Sequence, residues 1–437
     1  MSLIYIIADD LTGAADSAAR CRHAGLSATI CVTPPASPHA WPTGDVIALS
    51  SDSRFLPPTI AAQQVQRLLQ SLSSSHNEGG AYHKWGEAPA RPIDAGCSSP
   101  RTWDAPDEGL WYKKIDSTLR GNLGSEIAAM LPMVTPPDIT PCALISPAFP
   151  AQGRGLVDGA LVYDQRVGPP IHLPTLLQQQ CNLPVAAVDL ATVRAGPTAL
   201  AVAFKGLHDS GNQLIVVDAL QEEDLATLYA AARSAIPTAL FCGSAGLIGV
   251  IGATLAAAQQ QGQAAASAPI RVAPPLLAIV GSGSGMAQRQ LAALQAMTGV
   301  HHHLVTLAPI DGSDASFVQS ALVWPSAAPL VLHLPTPTSQ AMLEGEAARA
   351  FAAALADTAL AAIGQRTPAT LLLVGGDTAI HVLQRLGITS LTVLAEVLPG
   401  MPITQGQAAD GRTYTVILKA GNHGDEQTLV QLCGLVQ

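Results

Sequence analysis

Residues 3–32 read LIYIIADDLTGAADSAARCRHAGLSATICV, and this stretch decides the fold class. Leu3–Ala8 is a short isoleucine-rich run that breaks at Asp9-Asp10. The segment TGAADSAARCRHAG that follows has a helical pattern and stops at Gly25, the residue type that most easily takes the left-handed backbone of a helix end. A second apolar run lies near Ala28–Val32. Strand, tight loop, helix and strand are the repeating parts of a parallel sheet.

The same rhythm recurs outward from this stretch. VIALSSDSR (46–54), GLWYKKIDST (109–118), CALISPAFP (142–150) and QLIVVDA (213–219) before EEDLATLYAAARS (222–234) continue it. It restarts with LLAIVGSGSG (276–285) and runs through LLLVGGDTAIHVLQRLG (371–387) to TVILKAGNHGDEQTLVQLCGLV (415–436). With 437 residues, more than one hydrophobic core is expected. The expected fold class is α/β in two domains, each a mostly parallel sheet flanked by helices. Ala256–Pro275, rich in Ala, Gln, Ser and Pro, reads as a linker between domains at 1–255 and 276–437, its start finishing a helix. Residues from about Ser73 to Glu108 hold Gly, Pro, Ser and His without a period and read as a long-looped excursion.

Charge and composition exclude several classes. A net charge of −10 with no basic stripe argues against a nucleic-acid partner. No run of about 18 apolar residues supports a membrane span, and the start of the chain lacks a signal-peptide pattern, so a cytoplasmic protein without membrane partners is expected. The seven cysteines are odd in number and never spaced C-x-x-C, which fits reduced, mostly buried thiols. His301-His302-His303 is read as a surface or loop feature, because adjacent residues point apart.

Four strand-to-helix junctions carry the chemistry. Gly281–Gly285, Gly375–Thr378 and Cys242–Gly246 are glycine-rich turns at strand ends, where open α/β sheets place ligands and helix N-termini attract phosphate. There is no G-x-x-x-x-G-K-[ST], no full G-x-G-x-x-G and no protein-kinase motif set. At the fourth junction, Asp9-Asp10, a helix cap accounts for one acid, while a second adjacent acid needs a ligand, metal or cation. Lys113–Asn122, KKIDSTLRGN, packs three cations, an acid and two hydroxyls into ten residues, a set suited to a carboxylate with hydroxyls beside it. Arg54 and Arg154 add further cations.

With those segments in hand, the chain resembles the four-carbon acid sugar kinase family, which includes D-threonate, D-erythronate and 3-oxo-tetronate kinases. The resemblance spans nearly the whole chain and is carried by IIADDLTGAAD, SSDSR, YKKIDSTLRGN, PAFPAQGR, CGSAGL, LLLVGGDTA, EVLPGMP and KAGNHG. It implies an N-terminal acid-sugar domain contacting substrate through Asp10, Arg54, Lys114, Ile115, Asp116 and Ser117, and a C-terminal nucleotide domain. ATP contacts would fall on Ser244, Gly375, Gly376, Asp377, Thr378 and Gly421, with Mg2+ expected beside the phosphates and no metal-ligating residue assigned. The implied reaction is phosphorylation of the terminal hydroxyl of a four-carbon acid, D-threonate first, with Asp10 as base and Asp116 as its alternative. An NAD-dependent dehydrogenase and a non-enzymatic sugar-acid sensor are the competing classes. A small-molecule partner is expected, and a homodimer is left open.

Overall fold

The computed structural model describes residues 3–35, 41–75, 109–163, 170–259, 272–305, 322–324, 328–335 and 345–434. The excursion beyond residue 75 and the linker at 260–271 lie outside the described residues. Up to residue 259 the order begins β1 (Ile4–Ala8), α1 (Leu11–His23), β2 (Ala28–Cys31), β3 (Val46–Ser50), α2 (Pro58–Ser75), β4 (Leu110–Lys114) and α3 (Leu123–Val134). It continues with β5 (Ala143–Ser146), β6 (Gly155–Val157), β7 (Ala160–Val162), α4 (Leu173–Gln180), β8 (Val185–Val188), α5 (Leu190–Arg194) and α6 (Pro197–Asp209). This part closes with β9 (Leu214–Val217), α7 (Glu222–Ala235), β10 (Leu240–Gly243) and α8 (Ala245–Gln259). The rest comprises β11 (Leu276–Val280), α9 (Gly285–Gln295), β12 (His301–Leu304), β13 (Leu330–His333), α10 (Gly345–Gln365), β14 (Thr370–Val374) and α11 (Gly376–Arg385). The last elements are β15 (Ser390–Leu398), β16 (Met401–Gln407), β17 (Thr413–Lys419) and α12 (Thr428–Gly434).

Two compact units emerge. The first holds residues up to Asp9, Pro34–Ile47 and Ser51–Leu255, and the second holds Asp10–Thr33, Ala48–Ser50 and Ala256–Gln437. By their contacts, residues 10–33 group with the C-terminal residues. α1 and β2 belong with the C-terminal residues because β2 pairs antiparallel with β15 and α1 packs on β15, β16 and α11.

In the first unit the strands run β1-β4-β10-β5-β9-β8, all parallel. β1, β5, β9 and β10 are buried at every position, as strands covered by helices must be. In the second unit β12-β13-β11-β14-β17 is parallel, and the sheet then turns antiparallel through β16, β15 and β2. Its core gathers Leu276, Ala278, Leu372, Val374, Ile403 and Ile417 beneath Leu291, Leu294, Leu429 and Leu432.

α1 starts where Asp10 caps it, its carboxylate accepting from Gly13 N–H at 2.7 Å. It ends at Gly25, whose φ of 103° lets Leu26 N–H reach back to the Cys21 carbonyl. Ala14, Ala15, Ala18 and Ala19 are all buried, and such small side chains let neighbouring elements approach the helix closely. The histidine triplet forms β12 rather than a loop, and the His302 ring meets His333 edge-on at 5.8 Å. Cys21, Cys31, Cys142, Cys242 and Cys433 are free and buried, and burial alone pushes the Cys31, Cys142 and Cys433 thiols up to about 12. Among the described residues one helix, within α10, is long and apolar enough to cross a membrane, and it packs on α11, β13 and β11 of its own unit.

Close backbone approach fixes the first turn of α8. A Cβ on Gly246 would overlap the Ala148 carbonyl. Gly246→Ala is expected to lose about 1–3 kcal/mol, the usual cost of overpacking, read from a lowered denaturant midpoint.

Candidate functional site

In the first unit β4 ends in two lysines that point to different fates. Lys113 is fully buried and its Nζ sits 2.7 Å from Glu126 Oε2 on α3. Glu126 also accepts from Ser53 Oγ at 2.8 Å, so this pair ties β4, α3 and the loop after β3 together. Lys114 turns to the strand end, its Nζ donating to the Ile115 carbonyl at 2.9 Å, while Ile115 N–H donates to Gly243.

The loop 115–122 then wraps around Asp116. Arg120 donates through Nε at 2.8 Å and Nη2 at 3.0 Å, Thr118 Oγ1 donates as well, and Arg54 Nη2 stands 3.9 Å away. Arg54 grips Asp9 with Nε at 2.7 Å and Nη2 at 2.9 Å, a two-pronged geometry that only a guanidinium supplies. Gly121 lies against this pair: its φ is 93°, and a Cβ there would sit 3.3 Å from Asp9 Oδ2. Asn122 fastens the loop by donating to the Ser53 and Leu56 carbonyls. Arg154, held by its bridge to Phe149, donates to Ser117 Oγ.

Four charges thus alternate in sign: Asp9, Arg54, Asp116, Arg120. Burial alone would raise both carboxyls, but Arg54 overrides it at Asp9 with help from Lys113 and Lys114. At Asp116 burial is likewise opposed, by Arg54, Arg120 and Lys114, and the carboxyl is held well below its usual range. Such a carboxylate is a weak proton acceptor and a strong anchor for cations.

The second unit assembles a different surface at the C-terminal ends of parallel strands. Gly281 N–H donates to the Val374 carbonyl and Gly375 N–H to the Lys419 carbonyl, both at 3.0 Å. A Cβ on Gly281 would overlap Thr378 Oγ1, and one on Gly421 would overlap Ser282 Oγ. The loops after β11, β14 and β17 therefore converge. Ser284 caps α9 through Ala287 N–H at 3.2 Å. α11 is capped by Gly375, with φ 107° and no side-chain cap, and a helix start of this kind suits an anion. Beside them stands Asp10: a Cβ on Gly376 would lie 3.4 Å from its Oδ2. Asp377 lies in the same helical turn.

Arg54, Lys114, Ile115, Asp116 and Ser117 are brought together in the first unit, and Asp10 joins Gly375, Gly376, Asp377, Thr378 and Gly421 in the second. Ser244 belongs to the first unit and is fully buried, donating to the Ala148 carbonyl at 2.7 Å. Of the adjacent acids, Asp10 caps α1 and Asp9 pairs with Arg54. The sequence motifs assign no individual role to Glu126 or Arg120, although Arg120 lies inside YKKIDSTLRGN. Glu126 had no local signal, being 13 residues from Lys113.

A sugar-binding N-terminal domain family matches residues 4–84 and 101–251, and a nucleotide-binding C-terminal domain family matches 277–429. A D-threonate kinase of Cupriavidus necator is 31% identical over 97% of this chain and 95% of its own. A 3-oxo-tetronate kinase of Methylobacterium radiotolerans is 27% identical over 96% of this chain and 95% of its own. A solved DUF1537 protein of Haemophilus influenzae shares the fold, with a TM-score of 0.63 at 23% identity over 99% of this chain and 100% of the other.

Two outcomes follow from the charge network. Lys113→Met strands Glu126 and is expected to lose about 3–5 kcal/mol of stability, with Lys113→Met/Glu126→Leu recovering much of it in denaturant unfolding. Asp9 and Asp116 have lowered folded pKa values, so their contribution is complete above the ordinary carboxylate range and lost as pH falls through the lowered values. Arg54→Gln should therefore move the acid-unfolding midpoint, followed by circular dichroism, to higher pH.

Proposed function

The chain belongs to the four-carbon acid sugar kinase family, and from that premise we propose that it phosphorylates the terminal (C4) hydroxyl of D-threonate at the expense of ATP. The observation that carries this reading is the network of Arg54, Asp9, Asp116 and Arg120, with Lys114 and Ser117 beside it, among the residues matched by the sugar-binding family. Phosphoryl transfer asks a protein to position two substrates and to neutralise charge on the transferred oxygens. Arg54, Lys114 and Ser117 are assigned to the carboxylate and hydroxyls of the acid, with the Ile115 backbone and Asp116 completing the pocket. D-Erythronate and 3-oxo-tetronate are the alternative acids, since relatives carry those names too.

Asp10 is assigned to orient or deprotonate the attacking hydroxyl. Asp116 is the poorer base, because its cations hold its proton affinity low. Gly375, Gly376, Asp377, Thr378 and Gly421 are assigned to the nucleotide, whose phosphates suit the uncapped start of α11. Ser244 stays with the nucleotide contacts on the family pattern alone. Asp10 and Asp377 are the carboxylates beside that helix start and would hold Mg2+ alongside phosphate and water, which fits an ion that takes only one or two protein carboxylates. Bound there, Mg2+ would supply neutralisation of the phosphate charge.

Coupled ADP-release assays with D-threonate, D-erythronate and 3-oxo-tetronate, beside an NADH absorbance assay, test the reading. Turnover with D-threonate at the highest kcat/KM is expected; a nicotinamide-dependent signal without ADP release would sink it. Asp10→Asn keeps a good helix cap, so a loss of about 10²–10⁴-fold in kcat with intact folding is expected from the missing base. Gly376→Val should raise the KM for ATP and leave that for the acid little changed.

A further inference from the structure

Two lysines are fully buried at the ends of parallel strands, and the fold treats them in opposite ways. Lys113, next to last in β4, is neutralised by Glu126. Lys419 closes β17 at 0% exposure, and among the described residues its Nζ makes one hydrogen bond, donating to the Ala420 carbonyl at 3.0 Å. Among the described residues no carboxylate lies within ion-pairing reach of it. Burial pushes its pKa down to about 7. An ammonium enclosed without a counter-charge is strongly disfavoured, so such a residue needs a reason.

Its position supplies one. The Lys419 carbonyl receives Gly375 N–H at the head of α11, and the carbonyl that its Nζ touches belongs to the residue before Gly421. Gly421 in turn packs against Ser282 of the loop after β11. Lys419 therefore stands where the three glycine loops meet. The neighbouring strands β14 and β16 carry no titratable side chain. The titratable groups on the elements that pack on β17 and its neighbouring strands are Asp10, Asp16, Arg20, Cys21, Arg22 and His23 from α1 and its cap, Arg289 of α9, Asp377, His381 and Arg385 of α11, Cys433 of α12, and His423, Asp425 and Glu426 of the loop after β17. None of them pairs with Nζ, and burial is the one cause of the shift at Lys419.

We propose that Lys419 is the cation of the nucleotide site, taking a proton from solvent and binding phosphate oxygens through Nζ when the nucleotide arrives. The inference rests on the assignment of these loops to the nucleotide. Nζ gains one proton and no other bond is made or broken. The anion then replaces the missing counter-ion, which the carboxylates of Asp10 and Asp377 alone would make an acidic and repellent setting for phosphate. The opposite strategy at Lys113, with its resident acid, leaves that lysine no such vacancy.

Calorimetric titration of the full chain with MgADP at pH 8, in buffers of different ionisation enthalpy, tests it. With the free lysine near 7, uptake of about one proton per nucleotide is expected. Affinity should fall as pH rises from 7.5 to 9.5. Lys419→Met should abolish the uptake and its pH dependence and weaken binding about ten- to hundredfold. Lys419→Arg, charged at every pH, should recover affinity without uptake. Wild-type binding with no proton uptake overturns the proposal, as does Lys419→Met binding as tightly as wild type. A weakened Met variant with unchanged proton uptake also overturns it, leaving Lys419 as a tie to the Ala420 carbonyl. If the Met variant fails to fold, the wild-type proton count still decides. Failure of the wild type to bind MgADP at all would instead remove the nucleotide assignment beneath it.

Discussion

An ion withdrawn from water must find its opposite within a few ångströms or give up its charge, and the site residues of this chain are arranged around that requirement. In the first unit the requirement is met from within. Lys113 has Glu126, Asp9 has Arg54, and Asp116 has Arg54 and Arg120. The Lys113–Glu126, Arg54–Asp9 and Arg54–Asp116 pairs also span separate segments of chain, so neutralising the charges sets the positions of the loop after β3, the loop after β4 and the start of α3. Arg120 is 46% exposed and Arg54 only 9%, so the network runs from an enclosed end to one that meets solvent.

The second unit is built by other means. Its loops after β11, β14 and β17 approach so closely that glycine is required where they touch, and α11 begins without a side-chain cap. Backbone N–H groups and the positive end of a helix then provide partial charge, fixed in place by the sheet. Two carboxylates, Asp10 and Asp377, stand near this helix start, which makes a positive group part of any account of phosphate there. Lys419 is the buried cation that the sheet delivers to the same loops.

Several of these features were legible as sequence and several were not. The junctions at Asp10, Gly281 and Gly375 are visible because strand, glycine and helix follow one another within a dozen residues. The pairing of Asp9 with Arg54 is not, for the two are 45 residues apart and each looks like an ordinary charged residue. The cluster Lys113–Asn122 was recognised as charged, yet its density did not reveal that Lys113 turns inward to Glu126. Lys419 sat in a quoted motif, and the apolar run TVIL before it is the local sign that its side chain starts from a buried strand. Nothing local indicates that the acid it would need is absent.

The assignment of chain to unit shows the same limit. Sequence by itself determined the α/β class, the strand-to-helix junctions and the residue types gathered at them, because these depend on period, capping and the backbone freedom of glycine, all properties of near neighbours. Tertiary structure alone decided that α1 and β2 join the C-terminal residues, that Asp9 and Asp10 part company at the unit boundary, and which buried charge has a partner. Strand pairing and ion pairing join residues tens to hundreds of positions apart, and a local pattern carries no record of what will be folded against it.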